Sequence, residues 1–398
     1  MKITIYLVAT LLLLIQYSYS QDYEQLNIGY YDLENDERYD VWGVHPIDIR
    51  SQTTRVDRRP LAGALLGIKD IKPFQRITKT KFNLLTKRFL DVEEAISKIK
   101  LHVEQNNIHF VIVDLPGKIL PEISKNLYSF NIPILNISAR ENFLRSEVCL
   151  SNLFHTIPSR RMLTDSLAQY LSDKKWRKVL ILVGPLKEDI KIADSFIESS
   201  RQFGLKIADT RNFLLNNDPK ARETNDIDFL TGSAKYDAVF IADIDREFSY
   251  RLPYSTQKPA VVLGSSGLVA RAWHWSYLRH GAPQLHGRFE RMHNRRMNSR
   301  DWAAWIAFKS IAEAKVKFGK KENFNFLNSF LDSEFILDGY KGPATSFRPW
   351  NRQLRQSIML STENWVTKVA PIDSFVHSNN NLDTIGIDEK NVSCKTKE

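Results

Sequence analysis

A repeated alternation limits the folds open to this chain more than any other feature. Short runs rich in β-branched and aromatic residues give way to stretches with a helical apolar period, then return, through most of its length. That is the pattern of βαβ units, whose strands lie parallel and whose helices cover the sheet. Residues 26–32 (LNIGYYD) read as a first strand, 59–71 as a helix on Leu61, Ala64, Leu65 and Ile68, and 82–89 as a second strand. Asp91, with Glu94 three positions on, caps a helix whose stripe is Val92, Ile96, Ile99 and Val103. A buried strand at 109–115 (HFVIVDL), a helix over 121–130 and a strand at 133–138 (PILNIS) complete this first series.

The series then restarts. Ser159 opens a helix on Met162, Leu163, Leu167, Tyr170 and Leu171, and strands are expected at 179–183, 206–213, 237–242 and 260–263. Between the first two of these lies a helix with Glu188 and Asp189 at its head, Arg201 at its end and Gly204 as its stop, the polarity a helix dipole favours. Two α/β halves thus account for 21 to about 265, and 398 residues are enough for two cores. A helix over 302–318 and a strand pair at 357–361 and 365–369 are too little for a third core, so they must complete the first two. A chain that returns to both halves crosses between them more than once, which makes a hinge, and hinged lobes close on what lies between them.

The N-terminus has the anatomy of an export signal: Lys2, an apolar run over 3–15, and Ser18 and Ser20 before a cleavage point near Gln21. The run is short of the roughly 20 residues a membrane span needs. Cleavage would leave a free periplasmic protein. The formal net charge is +10, and export turns that excess toward anionic ligands, an acidic partner or a membrane surface rather than nucleic acid. Cys149 and Cys394 are expected to be free thiols, because Cys394 lies close to a polar end that should fray.

Enzyme signatures are largely missing. The chain has no glycine cradle for a dinucleotide or ATP, and Gly264, Ser265, Ser266 and Gly267 read as a strand-to-loop turn rather than a nucleophile elbow. His274, His280, His286 and His293 are spaced six, six and seven residues apart, wider than metal ligands normally are, with no paired Cys beside them, so no metal site is expected, nor a cofactor or a catalytic residue. Seven arginines between Arg271 and Arg300 face one acid, Glu290, and are interleaved with Trp273, Trp275, Tyr277 and Phe289. They form either a solvated face over packed aromatics or a place for an anionic aromatic ligand or an acidic protein. The segment 339–356 (GYKGPATSFRPWNRQLRQ) either lines a cleft or clamps the last crossover, and the clamp is favoured.

Five segments, 144–159 (LRSEVCLSNLFHTIPS), 267–289 (GLVARAWHWSYLRHGAPQLHGRF), 301–305 (DWAAW), 346–356 (SFRPWNRQLRQ) and 383–386 (DTIG), carry a resemblance. The chain resembles a type I periplasmic binding protein, and within that group the ABC transporter substrate-binding proteins encoded with pyrroloquinoline quinone (PQQ) dependent alcohol dehydrogenases. The resemblance implies two Rossmann-like α/β lobes joined by three crossovers, with a small-molecule ligand between them, delivery to an inner-membrane permease, and no catalysis. On that plan residues 1–20 are the signal, 21–155 plus about 280–332 the first lobe, and 156–279 plus about 333–398 the second. Ligands of such sheets sit beyond the carboxyl ends of the strands, which selects Tyr31, Asp114, Ser138, Arg140, Gly184 and Asp243. Relatives that bind amino acids use small hydroxyl residues after the third and fourth strands. Here only Ser138 fits, so a branched-chain amino acid is not the expected ligand, and an anion, such as an aromatic polycarboxylate, is. A lobe pair serving the dehydrogenase system as a sensor or scaffold is the rival reading.

Overall fold

The computed structural model describes residues 23–39, 59–214 and 225–394; the export segment over 1–20 lies outside them. Strand β1 (Glu24–Leu33) sits between β2 (Thr80–Phe89) and β3 (Ile108–Asp114), and β4 (Ile134–Asn136) and β5 (Leu153–His155) extend the sheet in the order β2-β1-β3-β4-β5. All of these pairings are parallel. Successive strand residues face opposite sides, so Leu26, Ile28 and Tyr30 enter one apolar cluster while Tyr31 and Leu33 enter another. Both faces are therefore covered, as a parallel sheet requires.

The second sheet repeats the scheme. Its order is β7-β6-β8-β9, from β6 (Lys178–Val183), β7 (Lys206–Asn212), β8 (Ala238–Ala242) and β9 (Val261–Gly264), again all parallel. In both sheets the order reverses direction beside the first strand, which opens a crevice at the carboxyl ends. A small antiparallel sheet, β10 (Val269–Arg271), β11 (Ile358–Ser361) and β12 (Val366–Ala370), packs into the second lobe through Ala270, Ile358, Leu360 and Ala370.

The helix Ser299–Phe318 is buried on nearly every side and packs on the first lobe through Trp302, Ala303, Trp305, Ile306 and Phe308. Asn298 starts it, accepting from the Arg300 and Asp301 backbone N–H groups, while the Asp301 carboxylate accepts from the Asn298 N–H. The helix thus begins three residues before the expected 302. Asp91 caps its own helix as read, accepting from Glu94 N–H at 2.8 Å. The first lobe's core runs on through Phe335, Leu337, Phe347 and Leu354, later than the boundary near 332. Trp273 and Tyr277 also belong to it, so the middle crossover falls near Arg271 rather than 279.

The three crossovers are stitched by amides and one amine. Gln353 Nε2 donates to the carbonyls of His155 (3.1 Å) and Ile157 (3.0 Å), and Gln356 Nε2 to that of Thr156 (2.8 Å). Lys341, buried against the Trp302 ring, donates to Ala272 O at 3.0 Å and Gln356 Oε1 at 2.8 Å. The segment 339–356 is therefore a clamp. Arg348 and Arg355 converge on Asp383, and Arg348 also holds the Leu382 and Ile385 carbonyls, which orders the chain end.

That ordering overturns the reading of the cysteines. Ser393 N–H and Cys394 N–H both reach Ser146 O, at 2.8 and 3.1 Å, and Cys149 and Cys394 are joined by a disulfide with Cα atoms 5.8 Å apart. Ser393 and Cys394 are held in place, so the geometry a bridge needs is present.

Candidate functional site

The carboxyl edge of the first sheet carries a connected polar network. Directly after β1, Arg38 pairs with Asp36 (2.6 Å) and reaches Asp114 Oδ1 (3.2 Å), the carbonyls of Asp114 and Leu115, and Ser138 Oγ at 2.8 Å. Tyr39 donates to the Asp114 carboxylate at 2.9 Å. Burial disfavours the Arg38 charge, yet Asp114 and Asp36 outweigh it and hold the guanidinium above its ordinary pKa. The Tyr39 ring is faced by Arg59 and Arg300, each 4.9 Å from its centroid, and by Arg38 at 5.6 Å.

The six residues selected by strand-end position do not all meet. Tyr31 is fully buried on the far face, where its hydroxyl pairs with His102 Nδ1 at 3.0 Å and its ring stacks on Phe89, so it leaves the site. Its neighbour Tyr30 enters the opposite face of the sheet, in the cluster with Leu26 and Ile28. The Tyr30 hydroxyl is buried without a partner, and desolvation, with Asp114 and Asp32 nearby, raises its pKa. Asp114 and Ser138 are at the crevice but engaged by Arg38 and Tyr39. Gly184 is a packing position, since a methyl there would meet the Asp189 carboxylate and the Phe213 ring. Asp189 in turn accepts from Leu186 N–H (3.1 Å) and Ile244 N–H (2.6 Å), and burial pushes its carboxyl up to about 6. Asp243 is buried at the second sheet's edge, with Oδ2 accepting from Ser249 N–H at 2.7 Å and Oδ1 left without a partner.

Arg140 is at the centre of a second group. It is half-buried and, among the described residues, no side-chain acceptor pairs with it; its Nε is buried and unpartnered. Burial, and then the charges of Arg300, Arg160 and Arg271, push its pKa down to about 9, so it stays cationic at neutral pH in surroundings that resist the charge. Arg271 is pushed down to about 10, first by burial and then by Arg246, with Glu363 acting the other way, and its Nε lacks a partner, as does that of Arg300. Three of the other arginines of 271–300 are spent elsewhere: Arg288 on Asp70, Arg295 on Asp301, and Arg296 stacked 3.7 Å over the Trp275 ring. Arg160, whose N–H donates to Arg140 O at 2.8 Å, is paired with Glu188.

Sequence reasoning singled out Arg140 as a ligand contact and Arg271 and Arg300 only as members of the arginine run; it did not single out Arg38, Tyr39 or Tyr30. The signal available was the ENDERY run at 34–39, polar residues placed directly at a strand's carboxyl end. Ser265 and Ser266 lie in a turn with Gly264 and Gly267 at positive φ, and their hydroxyls bond Asp243 N–H and Ser249, so they are not a nucleophile pair with a base. Among the described residues no three His, Cys, Asp or Glu side chains converge as metal ligands. Partnerless guanidiniums in a crevice can bind an anion; they offer no nucleophile or proton donor near neutrality.

No protein-family model matches the chain, and no curated protein does. Its architecture is similar to that of solved structures. An ABC transporter substrate-binding protein from Sphaerobacter thermophilus superposes with a TM-score of 0.69 at 16% identity, covering 87% of this chain and 98% of that one. The branched-chain amino acid transporter substrate-binding protein LivJ from Streptococcus pneumoniae, in complex with isoleucine, gives 0.62 at 16% identity over 87% and 99%. An ABC transporter solute-binding protein from Rhodopseudomonas palustris, in complex with 3,4-dihydroxybenzoic acid, gives 0.62 at 12% over 85% and 93%. At these identities the likeness establishes the fold, that of type I periplasmic binding proteins.

Proposed function

We propose that this chain, with its type I periplasmic-binding-protein fold, is the solute-binding component of an ABC importer: a carrier, not an enzyme, that takes an anionic small molecule between its lobes in the periplasm and hands it to an inner-membrane permease. The observation that carries the anion is the group Arg140, Arg271 and Arg300, whose Nε atoms are buried without partners. A buried polar group left unpaired costs free energy, and an anionic ligand removes that cost. Fold similarity to carriers of isoleucine and of a dihydroxybenzoic acid supports transport of an organic acid or amino acid. Asp114 and Ser138 are already engaged by Arg38, which weighs against the amino acid. The resemblance carried by 144–159 and 267–289 supports a link to PQQ-dependent alcohol oxidation. Six positions were selected as ligand contacts, and of these Arg140 is the one the proposal keeps as decisive.

Calorimetry on the wild type and Arg140→Ala, using whatever anion mass spectrometry finds copurifying, tests this. The variant should lose about 1.5–3 kcal/mol, the usual worth of a charged hydrogen bond. Unchanged affinity, or a copurifying solute that is neutral, would refute the anion assignment. The stitching by Gln353, Gln356 and Lys341 favours a second reading, a rigid scaffold of the dehydrogenase system. Small-angle scattering separates the two, because a carrier contracts on binding and a scaffold does not.

A further inference from the structure

The guanidiniums whose Nε atoms lack partners do not belong to one lobe. Arg140 follows β4, and Arg300 stands in the first turn of the helix Ser299–Phe318, which packs on the first sheet. Arg271 ends β10, which is paired with β11 in the second lobe. All three are half-buried, and none has a carboxylate partner among the described residues. Most of the nearby acids are committed elsewhere. Asp36 and Asp114 hold Arg38, Asp32 is shared by Arg59 and Arg88, Glu188 pairs with Arg160, and Glu363 with Arg246. Glu141 follows Arg140 in sequence; its charge acts on Arg145, its carboxylate lies against Gly117, and its Oε2 is buried without a partner of its own. Arg300 also sits at the positive end of a helix dipole, where a cation is disfavoured and the backbone N–H groups are already taken by Asn298.

One carboxylate satisfies one guanidinium fork, and it leaves two cations facing each other across the crevice. Without a bound anion these charges oppose closure. A ligand charged at one end only would be held by one lobe without drawing in the other. We infer that the solute carries at least two anionic groups, carboxylate or phosphate, one held by Arg140 and Arg300 on the first lobe and another by Arg271 on the second, and that this double charge is what closes the protein. The inference rests on the carrier reading above and adds to it the charge class of the cargo.

The test is a ring series in which only the number of charges changes: benzoate, benzene-1,3-dicarboxylate and benzene-1,3,5-tricarboxylate, with citrate as a polycarboxylate without a ring. Each is titrated calorimetrically into the intact protein and followed by small-angle scattering. Affinity should rise roughly tenfold from the monocarboxylate to the best polycarboxylate, the effect of one added charged contact, and only polycarboxylates should contract the molecule. Arg271→Gln should bring polycarboxylate affinity down to that of benzoate, while Arg271→Lys retains part of the difference; Arg300→Gln is a second variant should the first fail to fold. Benzoate binding as tightly as the polycarboxylates, or Arg271→Gln leaving the series unchanged, overturns the inference. So does a failure of every polycarboxylate to bind. In that case contraction by a neutral or zwitterionic solute would leave the carrier reading standing, and the absence of contraction by any solute would remove both.

Discussion

Asp189 shows how a single side chain in this molecule can be set by its surroundings. It occupies the space that Gly184 leaves open, ties the start of the helix Lys187–Gln202 to the segment after β8, and is pushed up to about 6 by burial. The folded state therefore keeps a proton on this carboxyl at pH values where the unfolded chain, near 4, has lost it. By linkage, stability contributed here falls as pH rises from about 4 to about 6 and is level above that. Chemical denaturation across that window should show this fall in the wild type and lose it in Asp189→Asn. The variant should be less stable overall, because an amide cannot accept from both backbone N–H groups. An unchanged slope would mean that Asp189 ionises like an exposed carboxylate. At the same scale, Tyr30 and Tyr31 show what a strand-end rule misses: it finds the position along a strand, and the alternation of faces decides which side of the sheet each neighbour enters.

Among the elements, the helix Ser299–Phe318 is the one whose start matters most, because its first turn holds both the Asn298–Asp301 cap and Arg300. Replacing Asn298 by Ala should cost about 1 kcal/mol in denaturant unfolding. It should also weaken anion binding, because the first turn carries Arg300; a loss of stability with binding intact would show that Arg300 is positioned by other contacts. This helix was legible because its apolar run is long, while its start was read late, since charged residues hide the cap. The strands β1, β3, β6 and β8 were legible for the same reason, each having enough buried residues to show a period. β5 and β10 were not, because three residues carry no period and their strand form comes from pairing partners far away in sequence. The helix Ala282–His293 was missed as well. Its buried residues Ala282, Leu285, His286 and Phe289 do follow a helical spacing, but Gly287 and the arginines between them read as a charged surface. The crevice network was least legible, since Arg38 and Asp114 meet across 76 residues and no local pattern records such a pairing.

For the molecule as a whole, three crossovers define the hinge, and the tail is attached to both lobes. Gly386 N–H reaches Asp165 Oδ2 at 2.7 Å and Ile385 is buried in the second lobe, whereas Cys394 is bonded to Cys149 in the first. Removing the bridge with Cys149→Ser and Cys394→Ser should lower stability by about 2–5 kcal/mol, since a link spanning 245 residues restrains the unfolded chain strongly. Equal unfolding midpoints with and without reductant would argue against the bridge in solution.

The covalent tail has a consequence for motion. Between Gly386 and Cys394 only a short length of chain separates an anchor on one lobe from an anchor on the other, and a chain extends by at most about 3.6 Å per residue. The bridge therefore limits how far Asp165 and Cys149 can part: the leash's full reach is the largest separation of these two anchors. A reductant would remove that limit while leaving Arg140, Arg271 and Arg300 as they are.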